Sequence, residues 1–475
     1  MKTIVATPDT VITAIGKLVP GSILLLLAGK YTEPLILRGL HGEPGLPISI
    51  HGTPGAIFDG GQTFEQFEPR ATCEAWRVLK EKPKRWPSLF HIAHEGMIQL
   101  HSCHHILLEN INIRRSWPTA IYMNDVSDIH LDGLDIRDGT FAIYVEGDNS
   151  SHILVERSEW LQDVSQRKMW HELGWERMHG NDIKINGGRA FDGAFFRTRN
   201  IRGNVIIRHN RIRHAANGVH MFNRRIGAGC RKGLNNNVHI HHNVFEHIRD
   251  NVVEPERRAA NWWFHHNTIR NAHKWISLEM SKSGYIYIFA NIGWWDDVPG
   301  PAGDHTGGAV FKFQETEKFL FRSLGKNYVF NNSWYLRSSY MKQGRFRDLF
   351  HWNNAVFHTK RDKTFFGEDP GFTRQWRFLN IEFGHDLVFH NEFPDELVKR
   401  GYQPISCGIH DDPGYIDGGA GDLTPIEGSP LIGKAKSMVI ELPDGTHWRS
   451  PVEFDIGAYQ NGSLFEGPAY VSFSE

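Results

Sequence analysis

The sequence predicts an all-β fold, a right-handed parallel β-helix solenoid with inserted loops and short helices. Three observations support this prediction. Short strand patterns recur along the chain, an Asn recurs at the bend within each pattern, and helical periodicity is nearly absent between them. The patterns are spaced by roughly 20–35 residues, which is a repeat length typical of solenoids.

Each recurring pattern consists of an alternating strand, an Asn at a bend and a second short strand. Asn tolerates left-handed backbone and forms hydrogen bonds with its own neighbours. We therefore expect the Asn side chains of successive coils to form a ladder inside one corner. Hairpin signals such as Asn-Gly between equal strands are nearly absent, which disfavours the alternative of an antiparallel sandwich. The patterns cover residues 105–113, 204–212, 237–245, 261–269 and 325–334.

A second series of strands lies between these patterns. Its members are short and apolar at alternate positions, so we expect one stacked parallel sheet with one strand per coil. The series comprises residues 120–123, 142–146, 182–186, 218–222, 252–256, 275–279 and 309–313.

The chain has 475 residues, and we expect them to form a single β-helix domain, residues 1–475. A solenoid core grows along one axis, so this length does not force a division into domains. Four segments interrupt the repeats and are predicted to be inserted loops. They are residues 62–88, 164–179, 224–234 and 294–308, and the first two carry helical spacing. Residues 405–475 are predicted to be a C-terminal capping segment.

The composition excludes several classes of function. The formal net charge is −1, so no global basic field favours nucleic-acid binding. No apolar run is long enough to span a membrane. The four cysteines form no CxxC pair, which disfavours a zinc site and a dense disulfide framework. No secretory leader is recognisable, so we expect a cytoplasmic protein, or a secreted or periplasmic one whose leader has been removed.

Both ends of the chain resemble a known superfamily. Residues 21–31 read GSILLLLAGKY, and the later segments 412–417, 428–433 and 455–459 read DPGYID, GSPLIG and DIGAY. Together with the Asn pattern, these motifs are similar to the pectate-lyase-like superfamily of right-handed parallel β-helices. The resemblance implies carbohydrate chemistry, most often that of a polysaccharide lyase or a glycoside hydrolase.

The second strand series predicts two columns of outward-facing side chains. Equivalent residues of successive coils lie about 4.8 Å apart, and alternate residues point outward. The columns concentrate ionisable groups of both signs near their centre, which is typical of a binding groove. The first column comprises Tyr122, Tyr144, Lys184, His220, Glu254, Ser277 and Lys312, and the second Asn124, Glu146, Asn186, Phe222, Glu256, Glu279 and Gln314, with Asp182 beside Lys184.

Cations among carboxylates favour β-elimination from a uronate polysaccharide. This reaction needs a base, an acid for the leaving oxygen, and a cation or metal beside the substrate carboxylate. Lys184 or His220 is the predicted base. The predicted catalytic set is Lys184, His220, Asp182, Glu254, Glu279 and Lys312, and the predicted substrate-binding set is Tyr144, Asn186, Arg224, Arg225, Trp294 and Trp295. Of the latter, Trp294 and Trp295 are expected to stack on sugar rings from an exposed loop.

The sequence also suggests a calcium site. Asn223, Glu254 and Glu256 offer the hard oxygen ligands that Ca²⁺ prefers. This set faintly resembles the Glu-x-Glu and Asn of the alginate and chondroitin lyases of the β-helix type. Those families carry an Asn-Lys-Ser phrase soon after the Glu pair, whereas this chain continues with Arg257, Arg258 and Ala259.

Two alternatives stay open at the level of sequence. A glycoside hydrolase would pair two carboxylates from Asp182, Asp250, Glu254, Glu256 and Glu279 across about 5–10 Å. A non-catalytic carbohydrate-binding β-helix is the other alternative. In each case the expected partner is a polysaccharide or oligosaccharide. We expect a monomer, because coiled-coil heptads and a terminal trimerisation segment are absent from the sequence.

Overall fold

A computed structural model describes residues 2–81, 89–179, 188–223, 234–296, 300–302, 308–313, 322–342, 345–359, 366–367, 377–390 and 408–474, with the backbone alone at 280–282, 322–323, 342, 345–346, 366–367 and 377–379. The chain divides into two compact units. The first comprises Met1–Arg224, Glu246–Arg249 and Pro301–Asp304, and the second Arg225–Phe245, Asp250–Gly300 and His305–Glu475. Both have the predicted fold, a right-handed parallel β-helix.

The first unit stacks its short strands in three parallel columns, A, B and C, which each coil visits in that order. Column A contains Lys2–Ala6, Ser22–Leu26, Ile48–Gly52, His104–Glu109, Ser127–Asp132, Ser151–Glu156 and Gly203–Arg208. Column B contains Gly29–Tyr31, Ala56–Asp59, Asn112–Arg114, Asp135–Arg137, Glu159–Leu161 and Arg211–Ala215. Column C contains Leu35–Arg38, Gly96–His101, Thr119–Asn124, Phe141–Glu146, Ala194–Arg199 and Asn217–Phe222.

The second unit repeats this arrangement with longer strands. Val244–His265 and Thr268–Phe289 each run through most of a coil. Column A also contains Asn236–His241, Asn327–Phe330, Arg345–Trp352 and Arg377–Gly384, and column B Ile292–Trp294, Ser333–Leu336, Ala355–His358 and Leu387–Phe389. Column C also contains Ala309–Phe313, Ser339–Lys342 and Phe366–Gly367, and Arg322–Ser323 pairs with the Thr268–Phe289 strand.

The second strand series predicted from the sequence corresponds to column C, with one correction. Every described segment of that series lies in a strand. Residues 182–186 lie outside the described residues. The strand that pairs with both Phe141–Glu146 and Asn217–Phe222 is Ala194–Arg199, so the expectation that 182–186 forms this rung is wrong. The signal that could have identified it is the short alternation at its end, where Arg197 and Arg199 follow Phe196 and Thr198.

The predicted Asn ladder is confirmed in the second unit. At each step, a backbone N–H and a side-chain amide donate to the side-chain oxygen of the next member. The left-handed residue is the one before the ladder Asn, such as His242 at φ 56° and His266 at φ 53°. The ladder consists of Asn243, Asn267, Asn291, Asn332 and Asn354 and ends at Asp386.

Aromatic rings stack along the outer face of column A in the second unit. Residues of the C-terminal segment cover this stack and bury Phe289 and Phe330 completely. Three antiparallel hairpins form within the segment. They pair Tyr415–Asp417 with Asp422–Pro425, Val439–Glu441 with His447–Arg449, and Tyr459–Gln460 with Ser463–Leu464. In this unit, the segment therefore packs along the side of the strand columns.

The helical spacing predicted for the first two insertions is confirmed. The long helix Phe64–Glu81 packs its apolar side on the first unit, where the rings of Phe67 and Trp117 stack at 5.5 Å. The described helices are Val11–Ile15, Phe64–Glu81 and Trp175–His179, with a π-helix at Lys168–Glu172 and 3₁₀ turns at Arg189–Phe191 and Gly418–Ala420. Among the described residues, no helix combines the length and apolar character needed to cross a bilayer.

Candidate functional site

The second unit contains an ion pair between two predicted catalytic residues. Ser277 and Lys312 are register partners on adjacent strands of column C, as expected from the sequence. Lys312 donates a hydrogen bond to Glu279, and Ser277 Oγ lies 3.3 Å from the same carboxylate oxygen. The side chains of Lys312 and Glu279 keep 21% and 13% of their surface exposed. The pair is thus largely shielded from water but still reachable.

Burial and neighbouring charges change the acidity of this pair. Burial raises the pKa of Glu279 to about 7; Lys312 opposes this change, and Glu254 and Glu256 add to it. Burial by itself would lower the pKa of Lys312. The carboxylates of Glu279, Glu254 and Asp250 outweigh that effect and raise the pKa above its ordinary value. Lys312 therefore stays cationic at neutral pH, while Glu279 exchanges its proton there.

A further carboxylate is fixed beside this pair by an amide. Glu254 is 6% exposed, and Asn251 Nδ2 donates to its Oε2 at 3.0 Å. Glu256, two residues further along the strand, is half-buried. The second unit thus holds several carboxylates around one lysine. A group that titrates near pH 7 beside a permanent cation is suited to general acid–base catalysis on an anionic substrate.

Part of the predicted first column lies in the first unit, together with two residues that the sequence analysis did not include, Gln99 and Arg197. Register partners along column C are Gln99, Tyr122, Tyr144, Arg197 and His220. Arg197 therefore occupies the rung that the sequence analysis gave to Lys184. Its guanidinium lies 4.5 Å from the centre of the Phe90 ring. His220 is half-buried at the end of this column.

Tyr144 does not line an open groove. Its side chain has no exposed surface, and it packs on Phe141 at 5.2 Å and on Tyr122 at 6.1 Å between ring centres. Burial raises its pKa above the ordinary value. The substrate-binding role predicted for Tyr144 is therefore at odds with its position, because Phe90, which follows the predicted insertion 62–88, packs against its ring at 6.1 Å between centres.

The neighbouring column of the first unit is more accessible. Its register partners His101, Asn124, Glu146, Arg199 and Phe222 are all half-buried. The Tyr122 hydroxyl donates to Glu146 at 2.6 Å, and Arg199 lies 4.0 Å from that carboxylate. The predicted positions of Asn124, Glu146 and Phe222 are confirmed. Arg199 was missed, because Ala194–Arg199 was not recognised as a rung.

The predicted exposed tryptophan pair is not exposed. Trp294 ends a strand of column B and lies against Gly421, where an added Cβ would approach the indole within 2.5 Å. Trp295 is 3% exposed, with the Arg337 guanidinium 5.0 Å from its ring centre. Packing within the second unit thus accounts for both indoles, and the expectation that they begin an exposed loop is wrong.

Several predicted residues cannot be placed. Lys184, Asp182, Asn186, Arg224 and Arg225 lie outside the described residues. Their predicted roles stay predictions. Asn223, a predicted calcium ligand, is described and is 2% exposed in the first unit.

One cluster in the first unit has metal-ligand residue types but is neutralised by arginines. His130, Asp132 and Glu156 each place one ligand atom within 4.8 Å of the others. Arg157 pairs with both carboxylates, and Arg208 Nε lies 2.7 Å from Glu156. These cations already compensate the carboxylates, so the cluster is an ion-pair network.

Comparison with known proteins gives likenesses in structure alone. No protein-family model matches the chain, and no curated protein matches its sequence. A family 28 exopolygalacturonase from Yersinia enterocolitica is similar with a TM-score of 0.47 and 10% identity, over 80% of this chain and 78% of that one. The PL6 family alginate lyase AlyGC has a TM-score of 0.44 and 11% identity, over 99% of this chain and 59% of that one. Pectate lyase Pel9A has a TM-score of 0.41 and 11% identity, over 97% of this chain and 96% of that one. Identities this low do not assign an activity to this chain.

Proposed function

We propose that this protein is a polysaccharide lyase that cleaves a uronate-containing polysaccharide by β-elimination. The observation that carries the proposal is the buried pair of Lys312 and Glu279. It combines a permanent cation with a carboxyl group whose pKa is about 7. β-Elimination from an anionic sugar needs a cation beside the sugar carboxylate and a titratable group that transfers a proton.

The reaction divides into steps that these groups can support. A base removes the proton at C5, the electron pair forms a C4–C5 double bond, the C4–O bond breaks, and an acid protonates the leaving oxygen. Lys312 would stabilise the negative charge that develops on the uronate carboxylate during proton removal. Glu279 would transfer one of the two protons, and Asn251 holds Glu254 in place beside it. Lys184 or His220, the bases predicted from the sequence, would transfer the other.

Calcium binding is part of this proposal as a prediction from the sequence. Carboxylate and amide oxygens of Glu254, Glu256 and Asn223 are ligand types that suit Ca²⁺. When bound, the ion would neutralise the substrate carboxylate together with Lys312. Removal of Ca²⁺ with EDTA, followed by a thermal unfolding measurement and an activity measurement, tests this ligand set. Unchanged melting temperature and unchanged turnover would remove calcium from the proposal.

The test is a panel of alginate, pectate, glycosaminoglycan and glucuronan, with unsaturated product and reducing ends measured in parallel. Elimination yields an ultraviolet-absorbing unsaturated uronate, whereas hydrolysis yields reducing ends alone. Glu279→Gln and Lys312→Ala should each lower kcat at least about 100-fold, the usual scale for a proton-transfer group. The exposed ion pair of Glu382 and Lys436, 2.8 Å apart in the same unit, supplies the controls Glu382→Gln and Lys436→Ala. Equal losses in the controls, or full activity in Glu279→Gln, would contradict the assignment.

Glycoside hydrolysis is the second candidate. One observation favours it: Glu279, whose pKa is raised to about 7, lies beside a second carboxylate, Glu254, and a glycosidase of this kind uses a protonated carboxyl group with a second carboxylate. Reducing ends without unsaturated product would select this candidate. Saturable binding of a polysaccharide without any turnover would instead select the non-catalytic alternative. Light scattering would test the expected monomer in either case.

A further inference from the structure

A strap of nine residues in the C-terminal segment, residues 465–473, lies along the outer face of column A in the second unit. Asn237 accepts a hydrogen bond from the Phe473 amide at 2.7 Å and donates one to the Phe473 carbonyl at 3.0 Å. Asn261, on the adjacent strand, donates to the Val471 carbonyl at 2.7 Å. Side chains of two neighbouring strands therefore hold the backbone of the strap.

Ring packing adds to these hydrogen bonds. The Tyr470 ring stacks on His239 at 4.6 Å and 7°, and it lies edge-on to Trp263 at 5.5 Å and 71°. Gly467 lies so close to Phe289 that an added Cβ would come within 2.4 Å of the ring. The strap thus covers successive rungs of one sheet face.

Five histidines, which we call the imidazole cluster, lie against and beside this strap. The rings of His241 and His265 stack at 5.2 Å between centres, and those of His242 and His266 at 4.9 Å. His239 Nε2 lies 2.6 Å from His265 Nε2. Of the five, His242 is exposed and the other four are half-buried. Positive charges on rings about 5 Å apart would repel one another, and more strongly where water is partly excluded.

The strap contacts the imidazole cluster and brings little charge that could compensate it. The backbone of Phe465 forms a hydrogen bond with His266. The titratable groups of the strap are Tyr470 and Glu466, and Glu466 is exposed. On the rung that follows His265 stands Phe289, an uncharged ring that stacks on it at 4.6 Å. A protonated ring in this cluster would therefore have mainly imidazoles and uncharged rings around it.

The imidazoles that the strap helps to bury resist protonation. Burial, with neighbouring imidazoles adding to it, lowers the pKa of His266 to about 4 and that of His265 well below its ordinary value. Both rings are therefore neutral at pH 7. A conformation in which water reaches these rings would bind protons more readily than the closed one, so acid favours that conformation.

We propose that residues 465–473 form an acid-responsive strap, which stays closed while the imidazole cluster is neutral and opens when the cluster takes up protons. Opening admits water to His265 and His266 and removes the Tyr470 ring from His239. The strand columns stay paired in this step, because local opening of a terminal segment costs less free energy than unfolding of the unit.

His266 sets the expected size of the effect. Its pKa is about 4 in the closed state, and we take the ordinary value of 6.5 for the open state. The equilibrium constant for opening should then rise about 30-fold between pH 7.5 and pH 5. His265 changes the constant in the same direction.

The test measures hydrogen exchange of the full chain at pH 7.5 and pH 5 by mass spectrometry. Rates divided by those of a free peptide with the sequence of residues 465–473 give the protection of the Phe473 amide at each pH. We expect this protection to fall about 30-fold at pH 5. The Ile456 amide, which donates to the Leu431 carbonyl at 3.0 Å, should change less than about threefold relative to its own free peptide.

Variants separate the imidazoles from the rest of the strap. In His265→Gln/His266→Gln the side chains can still donate hydrogen bonds but take up no proton, so the fall at Phe473 should shrink below about threefold. His410→Gln, which changes an exposed histidine elsewhere in the second unit, is the matched control and should keep the full fall. Tyr470→Ala should lower the Phe473 protection at both pH values, because it removes the stacked ring.

Three results would overturn the proposal. The first is equal protection of Phe473 at both pH values, and the second is an undiminished fall in the double variant. The third is a parallel fall at Ile456, which would show that the unit opens as a whole. The first and third need only the unsubstituted protein, so they hold even if a variant fails to fold, and none depends on polysaccharide cleavage.

Discussion

Replacement of Asn291 by Ala should destabilise the second unit because it interrupts the Asn ladder. Asn291 Oδ1 accepts from the backbone N–H and from the Nδ2 of Asn267, each at 3.1 Å. Its Nδ2 donates to Phe264 O at 2.9 Å, Phe289 O at 3.1 Å and Asn332 Oδ1 at 2.9 Å. Asn291 has no exposed surface and Asn267 has 1%. Water therefore cannot replace the lost partners.

The expected loss follows from the groups left behind. The Asn267 N–H loses its acceptor in a buried corner, and two buried carbonyl groups lose a donor. An orphaned buried group costs about 1–3 kcal/mol, so we expect a loss of about 3 kcal/mol in the free energy of unfolding. Urea denaturation, followed by tryptophan fluorescence and far-ultraviolet circular dichroism, measures this loss. Amide exchange at Asn267 should accelerate in the same variant.

Asn149→Ala is the matched control. Asn149 is exposed in a turn of the first unit, so its replacement should change the free energy of unfolding by less than about 0.5 kcal/mol. If Asn291→Ala also stays within that range, with unchanged exchange at Asn267, the ladder does not stabilise the corner. The reasoning from orphaned hydrogen bonds would then be refuted.

Three further predictions concern charge and packing in the second unit. Burial raises the pKa of Glu279 from 4.5 to about 7, so the folded state holds this proton more tightly than the unfolded chain. The resulting stability is present below pH 4.5 and is lost as the pH rises through 7. The urea midpoint of Glu279→Gln should therefore rise relative to that of the unsubstituted protein between these pH values. A difference between the two midpoints that does not change with pH would contradict this prediction. The pKa of His266 is instead lowered from 6.5 to about 4, so its contribution is present above pH 6.5 and is lost as the pH falls towards 4. His266→Gln should flatten this acid limb of the stability curve, and an unchanged limb in this variant would contradict the prediction. Finally, Gly293→Ala should lower the free energy of unfolding by about 1–3 kcal/mol or more, because an added Cβ would lie 1.9 Å from the Trp275 ring. Gly445→Ala is the control: an added Cβ there meets no atom within 4 Å, but the backbone has a φ of 83°, so this variant measures backbone strain without crowding. Thermal unfolding of both glycine variants measures the difference.

The sequence predicted the repeating part of the fold because that part is encoded locally. Alternation within strands such as Ala142–Glu146 and Gly218–Phe222 places them in column C, and register confirms it. The bend before Asn243 was recognisable in the same way, as was the helical spacing that follows Thr63. Each of these signals needs a few neighbouring residues and no knowledge of distant ones.

The candidate site was predicted less completely, because its members come from different coils. The sequence identified Glu279, Lys312 and their strands. Which strand fills a rung depends on pairing across an insertion, so Arg197 and Arg199 were missed. The burial of Tyr144 depends on packing by an inserted segment, and its own strand carries no sign of this.

The sequence by itself determined that this chain coils into parallel strands. Alternating apolar residues and the ladder Asn indicate this, because the residues of a strand determine which of its faces points inward and which points outward. The tertiary structure decided what those faces do. It raised the pKa of Glu279 chiefly by burying the carboxyl group, with Lys312 opposing the change and Glu254 and Glu256 adding to it. It also gathered His241, His242, His265 and His266 into one cluster. Burial and distances between coils are collective properties of the packed chain, so no local stretch of sequence fixes them.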